Sequence, residues 1–153
     1  MKGQIFSFDM VISITLFIIS LLVLYSVFST ISSEIIEKDI IEDAYEKANL
    51  VIEKAIRFPG IPNNWDSSTV EVIGLANKEY FLNRTKIERF NETSYNKLKC
   101  VFGGYDFYFR IEYMNDTIVL EKGHSIENKS AVKVLRYAVF DNKMVKLILE
   151  FYF

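Results

Sequence analysis

The chain is short of the residues that carry most reaction chemistry and of those that break helices. Its 153 residues include one cysteine, Cys100, one histidine, His124, and two prolines, Pro59 and Pro62. A single cysteine excludes an intrachain disulfide. The neighbours of Cys100 in YNKLKCVF read as those of a buried small hydrophobe rather than of an activated thiol. With no second histidine or cysteine to join it, His124 in EKGHSIE reads as a solvated turn residue rather than a metal ligand. The sequence contains no G-x-S-x-G, P-loop or G-x-G-x-x-G, and Gly103-Gly104 reads as a helix stop before a strand. Carboxylates are plentiful, but none form a pair that suggests an acid and a base. No catalytic residue, metal or cofactor is therefore predicted, and no enzyme. A net charge of −2 offers no global footprint for nucleic acid.

Charge is also missing locally. From Met10 to Ile31 there are 22 residues without a charged side chain. At about 1.5 Å per residue they reach roughly 33 Å as a helix, enough for a hydrocarbon core of about 30 Å. A cleaved secretory signal has an apolar stretch of about 7 to 15 residues and a small-residue cleavage site. This run is longer and Tyr25-Ser26-Val27-Phe28 offers no such site, so an anchor that stays, in contact with membrane lipid, is expected. Lys2 and the initiating amine precede the helix, whereas Glu34, Glu37 and Asp39 follow it with only Lys38 between them. The positive-inside bias then puts the N-terminus in the cytoplasm and the rest outside, a single-pass arrangement in the cell membrane. Four N-x-[ST] sequons, at Asn83, Asn91, Asn115 and Asn128, all follow the apolar run. Composition alone predicts about one, so these asparagines are candidate glycosylation sites on an external head.

Past Ile31 the apolar residues become one-sided: Ile35, Ile36, Ile40, Ile41, Ala44, Tyr45, Ala48, Val51, Ile52, Ala55 and Ile56 recur at three-to-four spacing. Glu34/Lys38, Asp43/Lys47 and Glu53/Arg57 each place an acid four residues before a base on the other face. No Gly or Pro interrupts Met10 to Phe58, and Pro59-Gly60 stops the helix. The predicted organisation is a leader and helix start (1–9), a transmembrane helix (10–31), an amphipathic stem (32–58) and an α+β head (59–153).

In the head, IPNNWDSS reads as a loop with Trp65 plugging the core edge, and TVEVIG as a short strand. Short helices follow near Arg84–Phe90, capped by Asn83, and Ser94–Val101. Aromatics concentrate in YDFYFRIEY, which alternates Phe107, Phe109 and Ile111 against Asp106, Tyr108 and Arg110. Asn115-Asp116 turns the chain into TIVLEK. VKVLRYAVF and MVKLILEFYF, joined at Asp141-Asn142-Lys143, predict a hairpin with Val145, Leu147, Leu149, Phe151 and Phe153 on one face and a buried C-terminus. The simplest architecture packs an antiparallel sheet onto the apolar stripe of the long helix.

Lys2-Gly3 followed by Gln4, a short polar interval holding Asp9, and an uninterrupted apolar helix resembles a type IV prepilin leader of the archaeal kind. PGIPNNW, IGLAN and YDFYF also look like segments that recur in archaeal pilin-like membrane proteins of undetermined role. The resemblance covers most of the chain and implies cleavage after Gly3 by a prepilin-type peptidase, leaving Gln4 as the new N-terminus. It also implies assembly with other copies or related pilins through the N-terminal helix. In type IV pilins an acid at the fifth mature position pairs with a neighbouring amine. Asp9 would be the sixth, and marks either such an assembly acid or the interface where the membrane helix begins.

From Arg84 onward twelve basic residues face nine acids, whereas Glu34–Arg57 holds seven acids and four bases. Lys133, Arg136 and Lys146 are thus candidates to meet the acidic stem of a neighbouring copy, or else simply solvated. Two functions follow: a pilin-like subunit, major or minor, of a surface filament or pseudopilus, or an uncleaved membrane-anchored external binding domain.

Overall fold

The computed structural model describes residues 2–126 and 129–153, by backbone only at 2–7, 33, 34 and 37. The described chain is one long helix, α1 (Lys2–Arg57), two short helices, α2 (Arg84–Glu92) and α3 (Tyr95–Val101), and six strands: β1 (Ala76–Lys78), β2 (Phe81–Leu82), β3 (Asp106–Tyr113), β4 (Ile118–Gly123), β5 (Ala131–Phe140) and β6 (Lys143–Tyr152). It divides into two compact units, Met1–Ile40 and Ile41–Phe153.

In the first unit, Phe8–Ser32 has a mean hydropathy of 2.6 and no buried residue. Two hydroxyls bond back along the helix: that of Thr15 donates to the Val11 carbonyl at 2.8 Å and that of Thr30 to the Ser26 carbonyl at 3.1 Å. Such internal bonding is what a helix needs where no water can satisfy its polar atoms.

In the second unit, Ala44, Ala48, Ile52, Ala55 and Ile56 are buried against the sheet. The predicted stripe is covered only from Ala44 onward, because Ile41 and Tyr45 remain exposed, as do Ile35, Ile36 and Ile40 in the first unit. Of the predicted pairs on the polar face, Lys47–Asp43 and Arg57–Glu53 both close at 2.8 Å. The Glu34/Lys38 pair involves a side chain outside the described residues.

The segment after α1 serves the helix end. Helix termini leave carbonyls without intrahelical donors; here Leu75 N donates to Ala55 O at 2.8 Å and Tyr80 N to Ile56 O at 2.7 Å. Trp65 is wholly buried, and its Nε1 donates to both Pro59 O (3.1 Å) and Gly74 O (3.0 Å). TVEVIG is consequently not the predicted strand: it makes one isolated bridge, Ile61–Val72, and Gly74 lies hard against the helix end, where an added Cβ would sit 2.1 Å from Gly60 N.

The sheet order is β1-β2-β5-β6-β3-β4. It is mixed rather than wholly antiparallel, because β2 runs parallel to β5 through Phe81–Val139. The central register is as the alternation requires: Leu149 of β6 faces Phe109 of β3 and Val134 of β5, all buried. The hairpin turn is two residues, Asp141 and Asn142, both with positive φ (49° and 59°), and Lys143 already belongs to β6. This is the left-handed pair that a tight hairpin favours. Ile148 and Tyr152, on the other face of β6, are also buried. Ile148 is flanked in register by Arg110 and Leu135. Phe153 lies just past β6 and is only partly buried, its N–H donating to Ser130 O at 3.1 Å.

Both short helices lie on the core face. Asn83 caps α2 and Ser94 caps α3. Phe90 meets Phe109 at 5.0 Å and Phe102 meets Phe107 edge-on at 4.7 Å. Cys100 is exposed, not buried as its neighbours suggested. Helix α3 turns Leu98 into the core, and two residues on, about 200° around the axis, the thiol faces out.

Candidate functional site

The sequence-predicted sites do not converge. Lys2, Gly3 and Gln4 lie in the first turn of α1, with side chains outside the described residues. Asp9 is exposed, one residue inside the apolar span. Asn83 is half-buried and its Oδ1 accepts from Lys86 N at 3.2 Å. Asn91 is exposed on α2, but the Thr93 that completes its sequon is buried, its hydroxyl donating to Arg89 O at 2.8 Å. Asn115 stands exposed in the β3–β4 turn with Thr117 exposed beside it, which makes it the most open of the three. Asn128 lies outside the described residues.

Lys133, Arg136 and Lys146 are already paired within the chain. Lys133 meets Glu150 at 2.8 Å, and Lys146 meets Glu112 at 2.9 Å and Asp116 at 2.8 Å. Arg136 occupies a core-facing position of β5 between Val134 and Ala138 and reaches Glu53 (2.7 Å) and Asn49 (2.8 Å) of its own helix. Its charge therefore docks sheet to stem inside one molecule.

Carboxylates elsewhere are held in their ionised form. Asp66 Oδ1 accepts from the backbone N–H and hydroxyl of both Ser68 and Thr69, which hold its proton affinity far below the usual carboxylate range. Hydrogen bonds from Lys47 and Tyr105 also lower the proton affinity of Asp43, and those from Lys99, Tyr95 and Lys129 that of Asp106. Groups with depressed folded-state pKa values contribute stability that is present above the unfolded value, about 3.9 for Asp, and is lost as pH falls through the folded one. The thermal midpoint of the head is expected to be flat near neutrality and to fall steadily below about pH 4. A midpoint unchanged at acid pH in circular dichroism melts would contradict these assignments.

Among the described residues no group of three or more His, Cys, Asp or Glu is arranged to hold a metal ion. His124 is exposed, its ring edge-on to Tyr95 at 5.9 Å. Three clefts of the second unit bear on a site. One, about 200 Å³, is apolar and rimmed by Lys47, Lys54 and Glu71. A second, about 350 Å³, is lined by polar residues and brings Asn63, Asn64, Asn77 and Asn83 together with Lys86 and Arg89. A third, about 480 Å³, is lined by Tyr113, Met114, Asn115, Thr117, Lys143 and Met144. Motif reading missed the second, although its signal was present: four of the chain's ten asparagines fall between positions 63 and 83.

Fold and helix together define an α+β protein with one N-terminal helix long and apolar enough to cross a membrane. No family model, no curated protein and no solved structure matches the chain.

Proposed function

We propose that the chain is a pilin-like single-pass membrane protein, cut after Gly3 by a prepilin-type peptidase and assembled through α1 into a surface filament or pseudopilus. In this reading the N-terminus is cytoplasmic, the head is external, and the protein is not an enzyme. One observation carries it. The apolar helix does not end where a bilayer would: beyond Phe8–Ser32, itself without a buried residue, Ile35, Ile36, Ile40, Ile41 and Tyr45 are also exposed. A lipid anchor needs about 20 apolar residues. The surplus suits a helix that leaves lipid and packs among neighbouring helices, where van der Waals contact replaces the acyl chains. Cleavage would free the Gln4 amine, and Asp9, sixth in the cut chain, is the candidate acid to meet such an amine on an adjacent copy.

The test is the N-terminal mass of the protein from its own cells, beside Gly3→Leu. A chain beginning at Gln4, with the variant uncut, is the expected result. A chain that retains Lys2 removes the pilin reading. It would favour the second, an uncut anchor carrying a binding head, for which the polar cleft is the supporting observation.

A further inference from the structure

We infer that the polar cleft between the Asn63-Asn64 turn, β1 and the start of α2 binds a carboxylated saccharide. Its volume, about 350 Å³, falls in the range of about 300–1,000 Å³ usual for ligand pockets. Its lining is unusual for one: every side chain is polar and none is a carboxylate.

The lining groups form two sets. The first is a pair of cations without a counter-charge among the described residues. Lys86 is 7% exposed, and its Nζ donates to the carbonyls of Pro59 (2.5 Å) and Ala76 (3.2 Å). An ammonium has three donors, so one remains. Arg89 Nη1 donates to Asn64 Oδ1 (2.8 Å) and to Trp65 O (2.9 Å). Among the described residues both cations thus meet neutral oxygens only. Burial and then the charge of Arg89 weaken the hold of Lys86 on its proton, the signature of positive charges brought together and partly dried. An arriving anion stabilises such a pair.

The second set is unengaged amides and a hydroxyl. Asn63, Asn77 and Thr85 are exposed at the rim, and among the described residues their side chains make no hydrogen bond. Asn83 uses its Oδ1 as the cap of α2, and its Nδ2 has no hydrogen-bond partner among the described residues. Carboxamides and hydroxyls both donate and accept, which matches the vicinal hydroxyls of a sugar ring. An acidic sugar engages both sets at once. A free inorganic anion uses only the first, and a neutral sugar only the second. Cut and uncut chains carry the same cleft, so the inference does not depend on processing at Gly3.

The experiment uses the full chain from a bacterial host that adds no Asn-linked glycan, in detergent micelles, titrated calorimetrically with trigalacturonate, maltotriose and sulfate. Saturable one-site binding of trigalacturonate is expected, at least about tenfold tighter than either reference, a difference of about 1.4 kcal/mol. Asn77→Ala and Thr85→Val should each weaken it about three- to tenfold with the unfolding midpoint unchanged. These rim variants carry the test, because Lys86→Met also removes the bonds to the Pro59 and Ala76 carbonyls. Sulfate binding as tightly as trigalacturonate would reduce the site to an anion hole and overturn the inference. So would equal binding of maltotriose, or an affinity indifferent to both rim variants.

Discussion

Trp65→Ala is expected to destabilise the head by about 3–5 kcal/mol, the usual cost of emptying a buried aromatic site. Set against a typical total of about 5–15 kcal/mol, that loss leaves the head marginal. The size follows from position as well as volume. Trp65 is wholly buried, and its one polar atom ties the end of α1 to the strand-poor segment that covers it, through Pro59 O and Gly74 O. The surroundings cannot collapse into the vacated space without breaking the close approach of Gly74 to Phe58, Pro59 and Gly60. Trp65→Phe separates the two contributions: it keeps most of the ring but leaves Gly74 O without its donor, at a cost of about 1–3 kcal/mol. Pro59 O retains Lys86. Urea unfolding of the full chain in detergent, followed by tyrosine near-ultraviolet circular dichroism, ranks the variants. A loss below about 1 kcal/mol for the alanine variant would show that the site relaxes freely.

That knot marks where sequence reading ran out. The long helix was legible because no Gly or Pro interrupts Met10–Phe58 and the acid–base spacing repeats. The hairpin was legible because alternation and Asp141-Asn142 agree. TVEVIG had the residue types of a strand and did not become one, since its neighbours serve the carbonyls at the end of α1. Propensity describes what a segment tolerates, and a non-local demand of this kind is not written in it. The parallel edge failed in the same way: β2 is two residues long and its place rests on one pairing with Val139. Arg136 is the opposite case. Its position in the alternation Val132, Val134, Arg136, Ala138, Phe140 already pointed inward, and only its charge suggested the surface. The cation pair of the polar cleft stayed hidden because Lys86 and Arg89 sit on ordinary helical spacing, and their lack of carboxylate partners emerges only once the head has folded.

The second large effect concerns the apolar helix. Ile18→Arg with Leu22→Arg puts two guanidinium groups one turn apart near the middle of Phe8–Ser32. On insertion scales each costs about 2.5–3.5 kcal/mol at the centre of a span, hence about 5–7 kcal/mol for the pair. Fifteen Leu, Ile, Val and Phe residues between Phe8 and Ser32 supply about 0.3–0.6 kcal/mol each at most, and less toward the ends. The two sums are of similar size, so the double variant should lose most of its preference for the bilayer, whereas either single variant should still insert. Alkaline extraction of membranes is the readout: the parent chain and the single variants are expected in the pellet, the double variant largely in the supernatant or degraded. A double variant that stays in the pellet would mean that the helix is held by something other than lipid. Under the proposed assembly that holder would be neighbouring helices, and detergent that dissolves the bilayer but not the oligomer would then leave the protein sedimenting as a large particle.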